Sequence, residues 1–330
     1  MLSPMSYPQA PTWLDDTPGS GAKMPCMTIF DRSFESLIRS QDGMFTTSQA
    51  RAFGLAPRTL VDLSKQGVID NEMRGLYRVR SMRHTDPIEA HRQLMRGVRP
   101  LYPDAEFAGV SAALAHGIPV WGVDLRRPVI RRPVDRGRGT KGVIVRRRYL
   151  PSVETEFGPT VPAANAVVEV AVDYGIQQGL VSADFGLHHG LFTFAGLADA
   201  VNLVREWPNG SRAVSMERFA DLRSESVLES RGRFTCVTHD IAVIPQVEIR
   251  DPTGKVVARV DLLIRDTKVI IEFDGKLKYA SGSGQVLWDE KVREDALRAL
   301  GYVIVRLTWA DIENPRRAMA KIYRALLIAA

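Results

Sequence analysis

The period of the apolar positions changes along the chain and marks out three segments. In the first, Phe34, Leu37 and Ile38 fall at helical spacing and predict a short helix over Ser33 to Ser40. Gly43 and Phe45-Thr46-Thr47-Ser48-Gln49-Ala50 follow, where Thr46 or Thr47 is a suitable N-cap for a second helix ending near Phe53. After the Gly54-Leu55 turn, Pro57 sits at a first helical position, opening a third helix from Arg58 to about Gln66 that Gly67 stops. Val68-Ile69-Asp70 and Leu76-Tyr77-Arg78-Val79 predict two short strands around Met73-Arg74-Gly75. Ala50, Phe53, Leu60 and Leu63 are the expected core. This order of helices and hairpin is that of a winged helix-turn-helix. It would project Arg58, Thr59 and Asp62 from the recognition helix, with Thr47 at the start of the helix before it and Lys65, Arg74 and Arg78 toward phosphates. The competing expectation is a small helical unit that binds only protein.

The middle of the chain reads as α+β. Helices are expected over His84 to Gly97, entered through Asp86-Pro87, over Phe107 to His116, and across most of 163–205. Between Asp124 and Leu150 the sequence carries Arg126, Arg127, Arg131, Arg132, Arg136, Arg138, Lys141, Arg146, Arg147 and Arg148 against only Asp124 and Asp135. Val129-Ile130 and Val143-Ile144-Val145 predict strands flanking Gly137-Arg138-Gly139-Thr140-Lys141-Gly142. That turn has GxGxxG spacing, but a β-like run follows it, whereas a dinucleotide site needs a helix N-terminus there. A basic hairpin is expected, with Arg131, Arg132, Arg146, Arg147 and Arg148 either along a phosphate backbone or merely solvated. Adjacent His188 and His189 cannot face one ligand from a helix, so a packing role is expected.

The last segment predicts an amphipathic helix over Met216 to Arg233, which puts Glu225 and Glu229 on one face. Strands follow near 247–249, over 256–264 and over 268–274, then a helix over 286–300, a strand over 302–308 and a helix over 318–328. The class is α/β. Alternation places Glu272 and Asp274 on one face of their strand, and the tight Arg265-Asp266 turn brings Asp261 alongside. Three carboxylates in an apolar sheet need compensation. A divalent ion supplies it in one reading; in the other the acids are solvated at strand ends or paired with Arg259, Lys276 or Arg306.

Composition fits a soluble protein of several domains: 330 residues, 45% hydrophobic and 25% charged. The expected division is a disordered Pro/Gly/Ser-rich leader over 1–27 (with Met24 or Met27 as an internal start), then units 28–82, 83–212 and 213–330. Net charge is +6, with a pI of about 9.4, which favours a polyanionic partner. Cys26 and Cys236 are too few and too far apart for a disulfide framework or a zinc site. A reducing cytoplasm, no membrane span and no signal peptide are expected. No HExxH, GxSxG or Walker motif occurs.

Two resemblances follow from these residues. Residues 33–80, with Phe45-Thr46-Thr47 through Gly75-Leu76-Tyr77-Arg78-Val79, resemble the N-terminal winged helix of type IV abortive-infection antitoxins, the AbiEi group. That resemblance implies DNA binding and autoregulation of a toxin–antitoxin operon, with a cognate toxin as partner. Residues 220–312 resemble the very-short-patch-repair-like branch of the PD-(D/E)XK nucleases. The matching residues are Glu225, Glu229, Asp261, Glu272-Phe273-Asp274-Gly275, Trp288-Asp289-Glu290-Lys291-Val292-Arg293-Glu294-Asp295 and Gly301-Tyr302-Val303-Ile304-Val305-Arg306. This implies a restriction-endonuclease-like mixed sheet flanked by helices. It also implies Mg²⁺- or Mn²⁺-dependent phosphodiester cleavage, with Asp261 and Glu272, joined by Asp274, as metal ligands and Glu225 or Glu229 as helper. The superfamily's lysine two residues after the Glu is replaced by Asp274; Lys276, Lys278, Lys291 or Arg306 would have to supply the cation. The leading expectation is a DNA-binding endonuclease in phage defence or DNA repair, and the alternative a non-catalytic, antitoxin-like regulator.

Overall fold

In the computed structural model the chain is a mixed α/β protein with three separate sheets; the structure describes residues 30–134, 137–139, 141–149, 151–274 and 284–329. The predicted leader over 1–27 lies outside the described residues.

The N-terminal unit opens with α1 (Arg32–Ser40), where the Asp31 carboxylate accepts the Ser33 N–H at 2.8 Å. β1 (Met44–Thr46) runs into α2 (Thr47–Ala52), whose N-cap is Thr46 in a reciprocal capping box with Gln49. α3 (Pro57–Lys65) starts on Pro57, and β2 (Ile69–Met73) and β3 (Leu76–Val79) complete a sheet of order β1-β3-β2. Phe34 fills the core, its ring 5.4 Å from Phe30 and 5.2 Å from Phe45, with Ile38, Leu60, Leu63, Ile69 and Val79 around it. Phe53 was expected there and is instead 37% exposed. It stands at the C-cap of α2 and lays only one side against Phe34.

The other face of this sheet is also covered. Met44, Met73 and Leu76 pack on Leu94, Met95 and Val98 of α4 (Pro87–Leu101), which a short 3-10 turn (Arg80–Met82) leads into. Gly97 permits the approach: a Cβ there would sit 2.6 Å from the Met44 Cε.

The middle sheet is built from β4 (Glu106–Phe107), β5 (Val129–Arg132), β6 (Arg138–Gly139), β7 (Ile144–Arg147), β8 (Val153–Thr155) and β9 (Gly158–Thr160). Their order is β6-β7-β5-β4-β9-β8. The expected basic hairpin is not formed, because β5 and β7 run parallel and β6 is the strand that turns back on β7. Val129 faces the helical core, while Ile130 and Val145 face the opposite one. These strands are buried on both sides, the usual setting of parallel pairing. α5 (Gly109–Ala115) lies against β4 and β5, and α6 (Ala163–Tyr174), α7 (Ile176–His188), α8 (Phe194–Val204) and α9 (Gly210–Phe219) pack behind it and on one another in one apolar core.

The helix predicted over Met216 to Arg233 is two helices. Ala213 and Met216 of α9 belong to the middle core, and α10 (Val227–Val237) starts anew at the N-cap Ser226. Ser-x-x-Glu at 226–229 is the start signal that ends one helix and opens the next.

The C-terminal sheet has the order β10-β11-β12-β13, from β10 (Val243–Arg250), β11 (Val256–Ile264), β12 (Val269–Asp274) and β13 (Val303–Thr308). The first three form an antiparallel meander and β13 lies parallel to β12. α10, α12 (Trp309–Ile312) and α13 (Pro315–Ala329) cover one face; α11 (Gly284–Ala299) crosses the other through Leu297. Among the described residues no helix is long and apolar enough to cross a membrane.

Candidate functional site

The acidic cluster sits where β11, β12 and α10 meet. Ile271 and Phe273 turn toward α10 and α13, so Glu272 projects from the α11 side of β12. Its Oε1 accepts a hydrogen bond from the Arg293 guanidinium at 2.8 Å, and the Nε of Arg306 lies 3.8 Å from Oε2. Arg306 is the register partner of Glu272 on β13 and also reaches Glu290 at 3.2 Å and Glu294 at 2.7 Å. Burial raises the pKa of Glu272; Arg293 opposes this, and the Asp261 charge raises it further.

Asp261 takes over part of the strand ladder. Register pairing of β11 with β12 is regular at Leu262–Ile271, after which the Phe273 N–H donates to the Asp261 Oδ2 at 2.8 Å. Glu229, the third residue of α10, accepts from the Glu225 N–H at 3.0 Å, the Ser226 hydroxyl at 2.8 Å and the Gln246 amide at 2.9 Å. Burial raises its pKa, and Asp261 adds to the rise. Gln246 sits at φ +56°, a strained conformation for a non-glycine residue.

The structure therefore gathers Glu229, Asp261 and Glu272. Glu225 is not on the helical face predicted for it: it precedes the N-cap of α10 and pairs with Arg259 at 2.8 Å. Asp274 ends β12 opposite Thr308. Lys291 is exposed on α11, and Lys276 and Lys278 lie outside the described residues. A hard cation needs open carboxylate oxygens. Here Glu229 is satisfied by its own helix start and Glu272 by arginine, so these donors do not fit a metal ion as they stand. Among the described residues, no group of three His, Cys, Asp or Glu side chains is placed to hold one.

The second candidate surface is the front of α3. Leu60 and Leu63 turn into the core, which leaves Arg58, Thr59, Asp62 and Lys65 exposed. Arg58, Lys65 and, at the hairpin tip, Arg74 form no ion pair among the described residues. Thr47 is half-buried at the first turn of α2. Arg78 does not join them. It is 3% exposed, points to the back of the sheet and pairs with Glu72 at 2.5 Å. A phosphate cannot reach it from the α3 side.

Most of the basic middle segment is neutralised internally. Arg131 is fully buried and paired with Glu169, with the Tyr149 ring against its guanidinium. Arg146 bridges Glu169 at 3.1 Å and Asp173 at 2.6 Å; Arg132 binds Asp104 at 3.0 Å and Arg148 pairs with Glu106 at 3.4 Å. Arg131, Arg132, Arg146 and Arg148 are thus withdrawn from the expected phosphate contacts because acids from elsewhere in the chain meet them. Arg147 remains exposed and in no ion pair among the described residues. His188 and His189 accept only packing roles, each ring facing a backbone carbonyl, of Leu222 and Phe185.

Residues 35–80 match the family model of the AbiEi antitoxin, a transcriptional regulator. The match covers the unit that carries the exposed α3 and supports the N-terminal resemblance. Two curated relatives, the uncharacterized proteins Rv2248 and MT2308 of Mycobacterium tuberculosis, are each 29% identical over 228 residues, spanning 65% of this chain and 80% of their own length. The solved Rv2827c protein of M. tuberculosis aligns with 70% of this chain and 92% of its own, at 14% identity and a TM-score of 0.36.

Sequence reasoning missed Arg293 as the partner of Glu272, and Glu169 as the partner of Arg131. Glu169 did leave a signal. It is the one charge inside the apolar run Ala166 to Val172, and a carboxylate buried on such a helix requires a cation.

Proposed function

We propose that this protein is a DNA-binding, antitoxin-type transcriptional regulator. Its N-terminal unit would read a duplex as a winged helix-turn-helix, and its C-terminal unit would keep a restriction-endonuclease-like sheet without hydrolysis. The observation that carries the reading is the exposed, unpaired face of α3, Arg58 and Lys65 above all. In the order α1-β1-α2-α3-β2-β3 the third helix is the one that enters a major groove. Arg58 would face guanine or phosphate, Thr59 either base edge, and Asp62 a cytosine amino group. Thr47 and Arg74 would flank the groove on backbone phosphates. The AbiEi match over residues 35–80 supports the same assignment and brings a cognate toxin as the second expected partner. The reading is tested by fluorescence anisotropy on the duplex upstream of the gene itself. Specific binding by the wild type and its loss in Arg58→Ala are expected; equal affinity for that duplex and for unrelated DNA sinks the proposal.

A second reading, divalent-metal-dependent DNA cleavage in defence or repair, draws support from the approach of Asp261 to both Glu229 and Glu272. With Glu272 held by Arg293 and Arg306, no hydrolytic step follows from the geometry. Supercoiled plasmid incubated with Mg²⁺ or Mn²⁺ decides the point: nicking by the wild type but not by Glu272→Ala would install this reading in place of the first.

A further inference from the structure

Between the back of the N-terminal sheet and the middle unit lies a cavity of about 500 Å³, inside the range of roughly 300–1,000 Å³ typical of small-molecule sites. Arg78 and Arg83 line it together with the apolar Leu94, Val123 and Leu125. Arg78 uses its terminal nitrogens on Glu72 at 2.5 Å and Gln93 at 3.4 Å, while its buried Nε has no hydrogen-bond partner. A buried donor left this way is costly; it is closed to solvent, so the part of Arg78 that lines the cavity supplies charge rather than this N–H. The charges do not balance. Arg126, also in the wall, is held by Asp124 at 2.8 Å, and Glu72 answers Arg78, which leaves Arg83 exposed and without an ion pair among the described residues. Burial draws the pKa of Arg78 below the usual guanidinium value against the pull of Glu72, and the nearby Arg83 charge lowers it further.

We propose that this cavity binds a small carboxylate with an apolar body, the anion on Arg83 beside the Arg78 charge, the apolar part on Leu94, Val123 and Leu125. An occupant there touches three elements at once. Arg78 belongs to β3, whose other face carries Tyr77 and Val79 into the core beneath α3. Leu94 belongs to α4, and Val123 and Leu125 to the loop that leads toward β5. A ligand bridging them changes how the α3-bearing unit is seated on the middle unit, and so couples to DNA affinity. That coupling rests on the DNA-binding reading; the binding site does not.

The test is isothermal titration of the full chain with benzoate, with its neutral counterpart benzamide as comparator. Benzoate is expected to bind in the millimolar range, and benzamide, like benzoate on Arg83→Gln, about tenfold more weakly. Arg83 is exposed, so its variant keeps the fold. Absent benzoate binding, equal affinity for the two compounds, or an unchanged affinity in Arg83→Gln overturns the site. In a parallel arm, benzoate shifts the DNA-binding midpoint of the wild type and not that of Arg83→Gln. An unshifted wild-type midpoint overturns the coupling alone, and a chain that takes benzoate but no DNA refutes the functional proposal while leaving the site standing.

Discussion

Replacing Glu272 by Gln gives opposite results for an arginine-neutralised cluster and for a vacant metal site. In the structure Glu272 lies 2.8 Å from Arg293 and 3.8 Å from Arg306. At an effective dielectric of about 20 the nearer pair alone represents about 4–6 kcal/mol of raw attraction. Two terms reduce it. The carboxylate has lost most of its water, and the arginines are 35% and 38% exposed and therefore screened. About 1–2 kcal/mol of net stabilisation remains, so Glu272→Gln should destabilise the fold by that amount and lower its melting temperature by roughly 1–3 °C.

The assay is equilibrium urea unfolding and thermal circular dichroism of wild type and Glu272→Gln in excess EDTA, repeated with Mn²⁺. Carboxylates gathered for an absent ion repel one another, so neutralising one of them would raise stability in EDTA. Bound Mn²⁺ would then stabilise the wild type by mass action. Higher stability of Glu272→Gln in EDTA, or a wild-type midpoint that climbs with Mn²⁺ while the variant's stays fixed, refutes the arginine argument.

Two further outcomes are expected. His91 is buried, with Nδ1 on the Leu125 carbonyl at 2.7 Å and Nε2 on the Ser111 hydroxyl at 2.8 Å, and burial lowers its pKa from 6.5 to about 4. The Leu125 carbonyl can only accept, so the ring carries its proton at Nδ1 and the Ser111 hydroxyl, which accepts the Val129 N–H, donates its own to Nε2. Because the folded pKa is the lower one, the unfolded chain takes up the proton first. The contribution is complete above pH 6.5 and is lost as pH falls toward about 4, so urea midpoints should drop over that window in the wild type and more shallowly in His91→Gln. Arg233→Ala removes the 2.8 Å partner of Asp184, whose pKa burial already raises. Leaving that carboxylate unpaired between α7 and α10 should cost about 3–5 kcal/mol by urea unfolding, and Asp184→Asn in the same background should recover part of the loss.

The elements were legible where one signal set them locally. Pro57, the Thr46 cap and the apolar alternation of β11 and β12 fix their own neighbourhoods, and the observed bounds lie within a few residues of those expected. The acidic cluster was legible for the same reason, since Asp261 and Glu272 belong to neighbouring strands of one meander. Pairing across long separations was not. β5 and β7 looked like hairpin arms because both are apolar and a glycine-rich stretch joins them, yet burial on both faces selects parallel pairing with β6 folded back at the edge. The single helix expected over 216–233 ignored a start signal inside it, Ser226 with Glu229. Whether a carboxylate meets an ion or a guanidinium depends on Arg293, which lies 21 positions from Glu272 and on the next helix.

Pairing inside the fold also decides which cations are free to meet DNA. Counted locally, residues 124–150 are the most basic stretch of the chain, and net charge would make them the phosphate-binding surface. A guanidinium already paired with a buried carboxylate releases no counterion from DNA and adds nothing to the salt dependence. Arg131, Arg146 and Arg148 are in that position, and Arg58 and Lys65 are not. Arg58→Ala should therefore weaken binding to the upstream duplex and reduce the slope of log affinity against log salt by about 1, with an unchanged melting temperature. Arg131→Ala should instead destabilise the protein, because it removes the fully buried one of the two arginines that neutralise Glu169 in the core. Anisotropy titrations at several salt concentrations, with thermal unfolding of each variant, separate the two. An unchanged slope in Arg58→Ala, together with a reduced slope in a stably folded Arg147→Ala, would move the DNA surface to the middle unit and overturn the assignment of α3.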